Sequence, residues 1–241
     1  MLGKLIKYDL KAMGKTIIPF WAALLISGWL LAIQNQFSSI GKFSTMNVIV
    51  VLICIVVITA VLVMNVVIII QRFWNGLLKE EGYLMFTLPV SSRGLIFSKL
   101  ISAMLISLGT GIVIILMFLP WIFLEEVHFE DIRTIMNAIN LSIVKWSVYG
   151  IVLCIAEVAN GIYHIYAAMA IGQLSNKNRF VFSVVAYILI SIVFGMLFVP
   201  IMNIASTAAG SEWMYLAMDI VEIIIFHIIT EYILTKKLNL E

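Results

Sequence analysis

The run MNVIVVLICIVVITAVLVMNVVIIIQ (46–71) carries no charged side chain. About 20 consecutive apolar residues suffice for a helix to cross the hydrocarbon layer, so a run this long and this apolar reads as a membrane span. The same reading along the chain gives five more: 17–34, 95–124, 141–171, 180–199 and 214–235. Irregular backbone facing lipid would leave N–H and C=O groups unpaired, so each run is expected to be helical. Pro19, Pro120 and Pro200 fall near span ends, and Pro89 lies between the second and third spans. Several runs exceed the hydrocarbon thickness and are expected to tilt, kink or extend beyond it. The first is too long for a signal-peptide core and no small-residue cleavage site follows it, so it counts as a span.

Composition agrees. The chain is 63% hydrophobic and 12% charged, with a mean hydropathy of +1.13. Soluble domains are roughly 45–50% apolar and about 25% charged. A soluble core has no room for this much apolar surface, so the expected fold is all-α and polytopic, one transmembrane domain over 1–241. A net charge of +2 and the lack of a basic domain argue against nucleic acid as a partner. Cys54 and Cys154 both lie within apolar runs and read as small buried thiols, not as a disulfide or metal ligands.

Lysine and arginine set an orientation. With the N-terminus inside, Lys4, Lys7, Lys11, Lys15, Arg72, Lys79, Arg93, Lys99, Lys177, Arg179, Lys236 and Lys237 face the cytoplasm, and only Lys42, Arg133 and Lys145 face out. The positive-inside rule therefore places both termini in the cytoplasm of a cell-membrane protein. EEVHFED (125–131) then faces out, since acids contribute little to orientation. In MLGKLIKYDLKAMGK, Lys4, Lys7, Lys11 and Lys15 recur every three or four residues on one helical face, opposite Leu2, Leu5, Ile6, Leu10 and Met13. Such a stretch suits a helix over 1–16 lying in the membrane interface with its lysines at lipid phosphates. It also serves as a positive flank orienting the first span.

Between spans two and three the apolar pattern breaks at RFWNGLLKEEGYLMFTLPVSSRGLIFSKL (72–100). Gly82 suits a helix stop after a short piece around Trp74–Glu81. Pro89 turns Leu88 away from helix, and Ser91 or Ser92 can cap the helix that follows. Tyr83, Leu84, Met85, Phe86 and Leu88 are too few to span and too apolar for a free loop. With Glu80 and Glu81 beside them they suit a docking surface or a seat in the headgroup layer.

EEGYLMFTLPVSSRGLIFSKL resembles the loop between the second and third spans of type-two ABC exporter permeases, especially small bacterial ones. The six spans and the basic start match that family's layout in order. In the family this loop holds a coupling helix that docks on a separate ATP-binding subunit. The resemblance therefore implies that 72–94 is a cytoplasmic coupling loop, with Lys79, Glu80, Glu81, Gly82, Tyr83, Phe86 and Pro89 at the docking surface and Lys99–Leu100 at the matching positions after it. It implies a membrane-spanning permease subunit that pairs with a second permease chain, identical or paralogous, around one pathway. No G-x-x-x-x-G-K-[ST] phosphate loop occurs, so this chain is not expected to be an enzyme. ATP and magnesium belong on the partner ATPase, and no cofactor is expected here. The family handles peptides, lipids, polysaccharides and drugs; amphipathic or antimicrobial peptides are the cargo expected of a small permease.

Within the spans, Glu157, Asp219, Glu222 and Glu231 are costly in lipid and are expected to face protein or water. Glu157 lies near Asn160 and Gly161, with His164 on roughly the same face; Asp219 and Glu222 share a face of the last span. These four, Glu157, His164, Asp219 and Glu222, line either a translocation path or a subunit interface, or else make interhelical hydrogen bonds as protonated carboxyls. Ser107 with Gly111, and Ser191 with Gly195, mark candidate close-packing faces.

Two other classes compete. Some intramembrane proteases carry Glu-Glu-x-x-x-Arg, but the arginine position is Met85 after Glu80–Glu81 and Glu130 after Glu125–Glu126. His128, His164 and His227 are scattered, without metal-ligand spacing. A non-transporting sensor or immunity protein accounts less naturally for the loop.

Overall fold

A backbone crossing lipid has to pair its own N–H and C=O groups, and within one segment only a helix does so. The computed structural model describes residues 2–37, 45–78, 91–124, 140–175, 177–205 and 211–236, and among these no strand occurs. The helices are α1 (Leu2–Phe37), α2 (Thr45–Phe73) continued by a π-helical turn (Trp74–Leu78), α3 (Ser92–Leu116), α4 (Leu119–Leu124), α5 (Leu141–Gly172), α6 (Arg179–Ala205) and α7 (Ser211–Lys236). Six of them are long and apolar enough to cross a membrane. The chain is a multi-pass membrane protein.

Start signals act where the sequence places them. Ser91 Oγ accepts from the Gly94 N–H at 3.3 Å, and its carbonyl accepts from Leu95, so Ser91 rather than Ser92 caps α3. Asn140 caps α5 through its side chain, which accepts from the Ile143 N–H at 2.9 Å. The expected 95–124 span is divided: Met117 and Phe118 leave the helix, and Pro120 stands in the first turn of α4, where its missing N–H costs no helical bond. Pro19 and Pro200 lie inside α1 and α6 instead of at span ends, as lipid-phase helices tolerate when neighbouring groups satisfy the freed carbonyls. The lysine-bearing stretch 1–16 and the span 17–34 form one helix, α1.

By contacts the chain divides into two units. The first comprises Met1–Asp9, Ile69–Met104 and Gly150–Glu241, the second Leu10–Ile68 and Leu105–Tyr149. In the second, α1, α2 and α3 pack around Leu24, Cys54, Val61 and Met117, flanked by Phe20, Trp21, Val57 and Val113. Polar side chains turn inward: Trp21 Nε1 donates to Thr110 Oγ1 at 3.0 Å, and Asn65 Nδ2 donates to Ser107 Oγ at 3.1 Å. The apolar surface turns outward, as lipid solvent permits; Ile115 is 71% exposed and Val56 66%. Cys54 is buried, but Cys154 is exposed, because this part of α5 presents most of its side chains outward.

Close approach occurs at positions other than those the small-residue pairs indicate. Gly111 and Gly195 face open space, whereas a Cβ at Gly28 would strike the backbone carbonyl and side chain of Met117, and one at Gly109 would come within 3.0 Å of the Trp21 ring. Gly28→Ala is therefore expected to destabilise the protein by about 1–3 kcal/mol through overpacking. Gly111→Ala should be neutral or slightly stabilising, since alanine favours helix. Thermal unfolding followed by tryptophan fluorescence in detergent separates the two; equal melting temperatures would contradict the packing at Gly28.

Candidate functional site

The four lysines of α1 are exposed, and the opposite side turns inward. Leu5 and Ile6 are half-buried; Asp9, Met13 and Ile17 follow at four-residue spacing and are buried. An aspartate on the buried side of a membrane helix demands a partner, and Asp9 has two. Lys99, on α3, places Nζ 2.9 Å from Asp9 Oδ1, with both side chains 1% exposed. Arg72, in the last turn of α2, brings its guanidinium to the same oxygen through Nε and Nη2. Asp9 Oδ2 has no hydrogen-bond partner among the described residues.

Local structure makes room for this cluster. The π turn after Phe73 sets Gly76 against Lys99: a Cβ there would come within 2.9 Å of Nζ. Phe73, fully buried, stacks on Tyr166 of α5 with ring centroids 4.0 Å apart. Such π turns occur often at functional sites, and here the bare backbone of Gly76 leaves room for the Lys99 ammonium. Arg72 and Lys99 bracket the segment between α2 and α3, so one carboxylate ties down both of its ends. The anticipated docking residues Lys79, Glu80, Glu81, Gly82, Tyr83, Phe86 and Pro89 lie outside the described residues, as do Glu125, Glu126 and His128.

A second polar group lies between α5 and α7. Asn160 meets Glu222, Tyr163 meets His227, and His164 meets Phe226. Both sequences advance together, so the two helices run parallel. Asn160 Nδ2 donates to Glu222 Oε2 at 2.7 Å and to Asp219 Oδ1 at 3.2 Å. His164 stacks between Tyr187 of α6, 4.4 Å away, and Phe226, 5.1 Å away; its Nε2 lies 3.4 Å from Ser191 Oγ. Glu157, one turn before Asn160, lies within electrostatic reach of Asp219 and Glu222. It is exposed, so shielding from lipid does not come from this chain's described residues.

Thus Asp219 and Glu222 meet at Asn160 with Glu157 in electrostatic reach of both, whereas His164 belongs to the ring stack with Tyr187 and Phe226. Glu231 and His227 belong to a different contact: Glu231 pairs with Arg93 at the start of α3, and His227 Nε2 stands 3.8 Å from Glu231. An apolar groove of about 490 Å³, lined by Leu174, Ile228, Ile229, Tyr232 and Ile233, holds none of the polar residues of either group. Sequence reasoning missed Asp9 and Arg72. The available signal was an acid placed among the apolar residues of an amphipathic helix whose lysines drew the attention.

Removing one partner of a buried ion pair typically costs about 3–5 kcal/mol, while replacing the whole set with apolar residues is often neutral or better. Asp9→Asn or Lys99→Met alone should therefore lower the melting temperature clearly. The triple variant Asp9→Leu, Arg72→Met, Lys99→Met should recover most of the loss. A triple variant as unstable as the sum of its singles would show that the cluster is not a self-compensating unit. No family model, no curated protein and no solved structure matches this chain.

Proposed function

We propose that the chain is the membrane-spanning permease subunit of an ATP-driven exporter of the type-two ABC kind. It sits in the cell membrane with both termini cytoplasmic, pairs with a second permease chain, and is driven by a separate ATP-binding cassette subunit docked on the 72–94 loop. The observation that best supports this reading is the sharing of Asp9 by Arg72 and Lys99. A loop that passes mechanical work from a soluble ATPase into a membrane domain needs ends that do not yield. Here Arg72, at the first position of the loop, and Lys99, in α3 beyond its end, are held by one buried carboxylate on α1, and α3 starts on a cap at Ser91. The KEEGYLMF wording of the loop and the lysine–arginine asymmetry supply the rest.

Amphipathic or antimicrobial peptides are the cargo class that the resemblance to small bacterial permeases favours. The path lies on the side where Glu157, Asn160, Asp219 and Glu222 interrupt the apolar faces of the spans.

The reading is tested by affinity purification of the tagged chain from its native membranes. An ATP-binding cassette subunit with ATPase activity should accompany it. Glu80→Lys with Glu81→Lys should reduce that recovery by reversing charge at the interface. Tyr83→Ala and Phe86→Ala should do so by removing buried anchors, each at about 1–3 kcal/mol. Insertion and pairing of permease chains should stay intact. Recovery of the ATPase at wild-type strength by all of these variants would contradict the coupling role.

A further inference from the structure

Glu157 stands midway along α5, and Asp219 and Glu222 lie in the first half of α7. Three carboxylates at this depth face both the cost of hydrocarbon and their own mutual repulsion. Among the described residues no cation pairs with any of them; the ion pairs fall on Asp9 and Glu231. Among the described residues the amide of Asn160 donates to two of them.

Two atoms in this group are buried without a partner. Asp219 is 8% exposed, and among the described residues its Oδ2 has no hydrogen-bond partner; Asn160 Oδ1 has none either. Both orphans are acceptors, so what is missing is a group that donates N–H or O–H bonds. Three carboxylates ask that this group be positive. Among the described residues no three of His, Cys, Asp and Glu converge as metal ligands, which disfavours a metal ion. One helical turn further along, the His164 ring lies 4.4 Å from Tyr187 and 5.1 Å from Phe226, and Phe226 lies 4.8 Å from Phe194. Aromatic surface beside carboxylates suits a cation with an apolar body.

We propose that Asn160, Asp219 and Glu222 form a membrane-embedded site for a protonated amine or guanidinium carried on an apolar body, with Glu157 at its exposed mouth. As a cargo site it rests on the transport reading; as a binding site it needs only this chain. The ammonium donates to Asp219 Oδ2 and Asn160 Oδ1, the carboxylates neutralise it, and the aromatic group receives the apolar part.

The test is binding of dansylcadaverine, a primary amine on an aromatic body, to the purified chain in nanodiscs, with empty nanodiscs subtracted. Its N-acetylated, uncharged analogue serves as the control. The amine should bind saturably and the acetylated analogue should not. Asp219→Asn with Glu222→Gln should weaken binding about tenfold or more, as expected for lost charge-assisted hydrogen bonds. Glu157→Gln, at an exposed position where folding is not at stake, should weaken it by a smaller factor. Equal binding of amine and analogue, or wild-type affinity in these variants, would overturn the proposal and leave the orphan atoms to water. Because no ATPase takes part, recovery of the ATP-binding subunit without amine binding would sink this site alone. Amine binding without any ATPase partner would keep the site and remove the transport reading.

Discussion

A single buried carboxylate oxygen, Asp9 Oδ1, holds two cations from two other helices. Taking such charges out of water costs several kcal/mol per ion, and their attraction offsets that only when the geometry is good and no partner is missing. The first turns of α1, the π turn after α2 and the start of α3 are therefore fixed together or not at all. Gly76 belongs to the same constraint, because a side chain there would press on Lys99. So does the Phe73–Tyr166 stack, which packs the residue next to Arg72 against α5.

The helices around this joint are apolar on nearly every side, so hydrophobic burial alone does not choose their partners in lipid. Specific contacts do the choosing. In one unit these are Trp21 with Thr110, Asn65 with Ser107, and the bare backbone of Gly28 against Met117. In the other they are the Asp9 cluster, the Asn160 amide between two acids, and the Arg93–Glu231 pair. The unit that holds the Asp9 cluster also holds the buried acceptors of Asp219 and Asn160 that lack a donor among the described residues.

The number and type of the elements were legible in the sequence, because a long uncharged run such as 46–71 has one physical solution in lipid. Ser91 or Ser92 was legible as a local start because capping is local; the Asn140 cap is a signal of the same kind that was not read. Pro120 marked a real break; Pro19 and Pro200 did not, since a lipid-phase helix can absorb a proline and only its surroundings decide. The acids of α7 and Glu157 stood out as charges in spans, and their places on shared helical faces were legible, but that α5 and α7 meet at Asn160 was not. Asp9 was illegible as a partner of Arg72 and Lys99 because that pairing joins residues far apart in the chain. Helical spacing placed it on the buried side of α1, but nothing local says which cations wait there. The glycine contacts escaped for a similar reason: Gly28 and Gly111 read alike until the neighbouring backbone is known.

Hydrogen exchange of the chain in nanodiscs tests the joint most directly. Peptides covering 2–9, 72–78 and 92–99 report its three arms. With Lys99→Met, exchange should quicken in all three segments together, while Ser107→Ala leaves them unchanged. Faster exchange confined to 92–99, with α1 and the π turn as slow as in the wild type, would contradict the claim that Asp9 binds these elements into one.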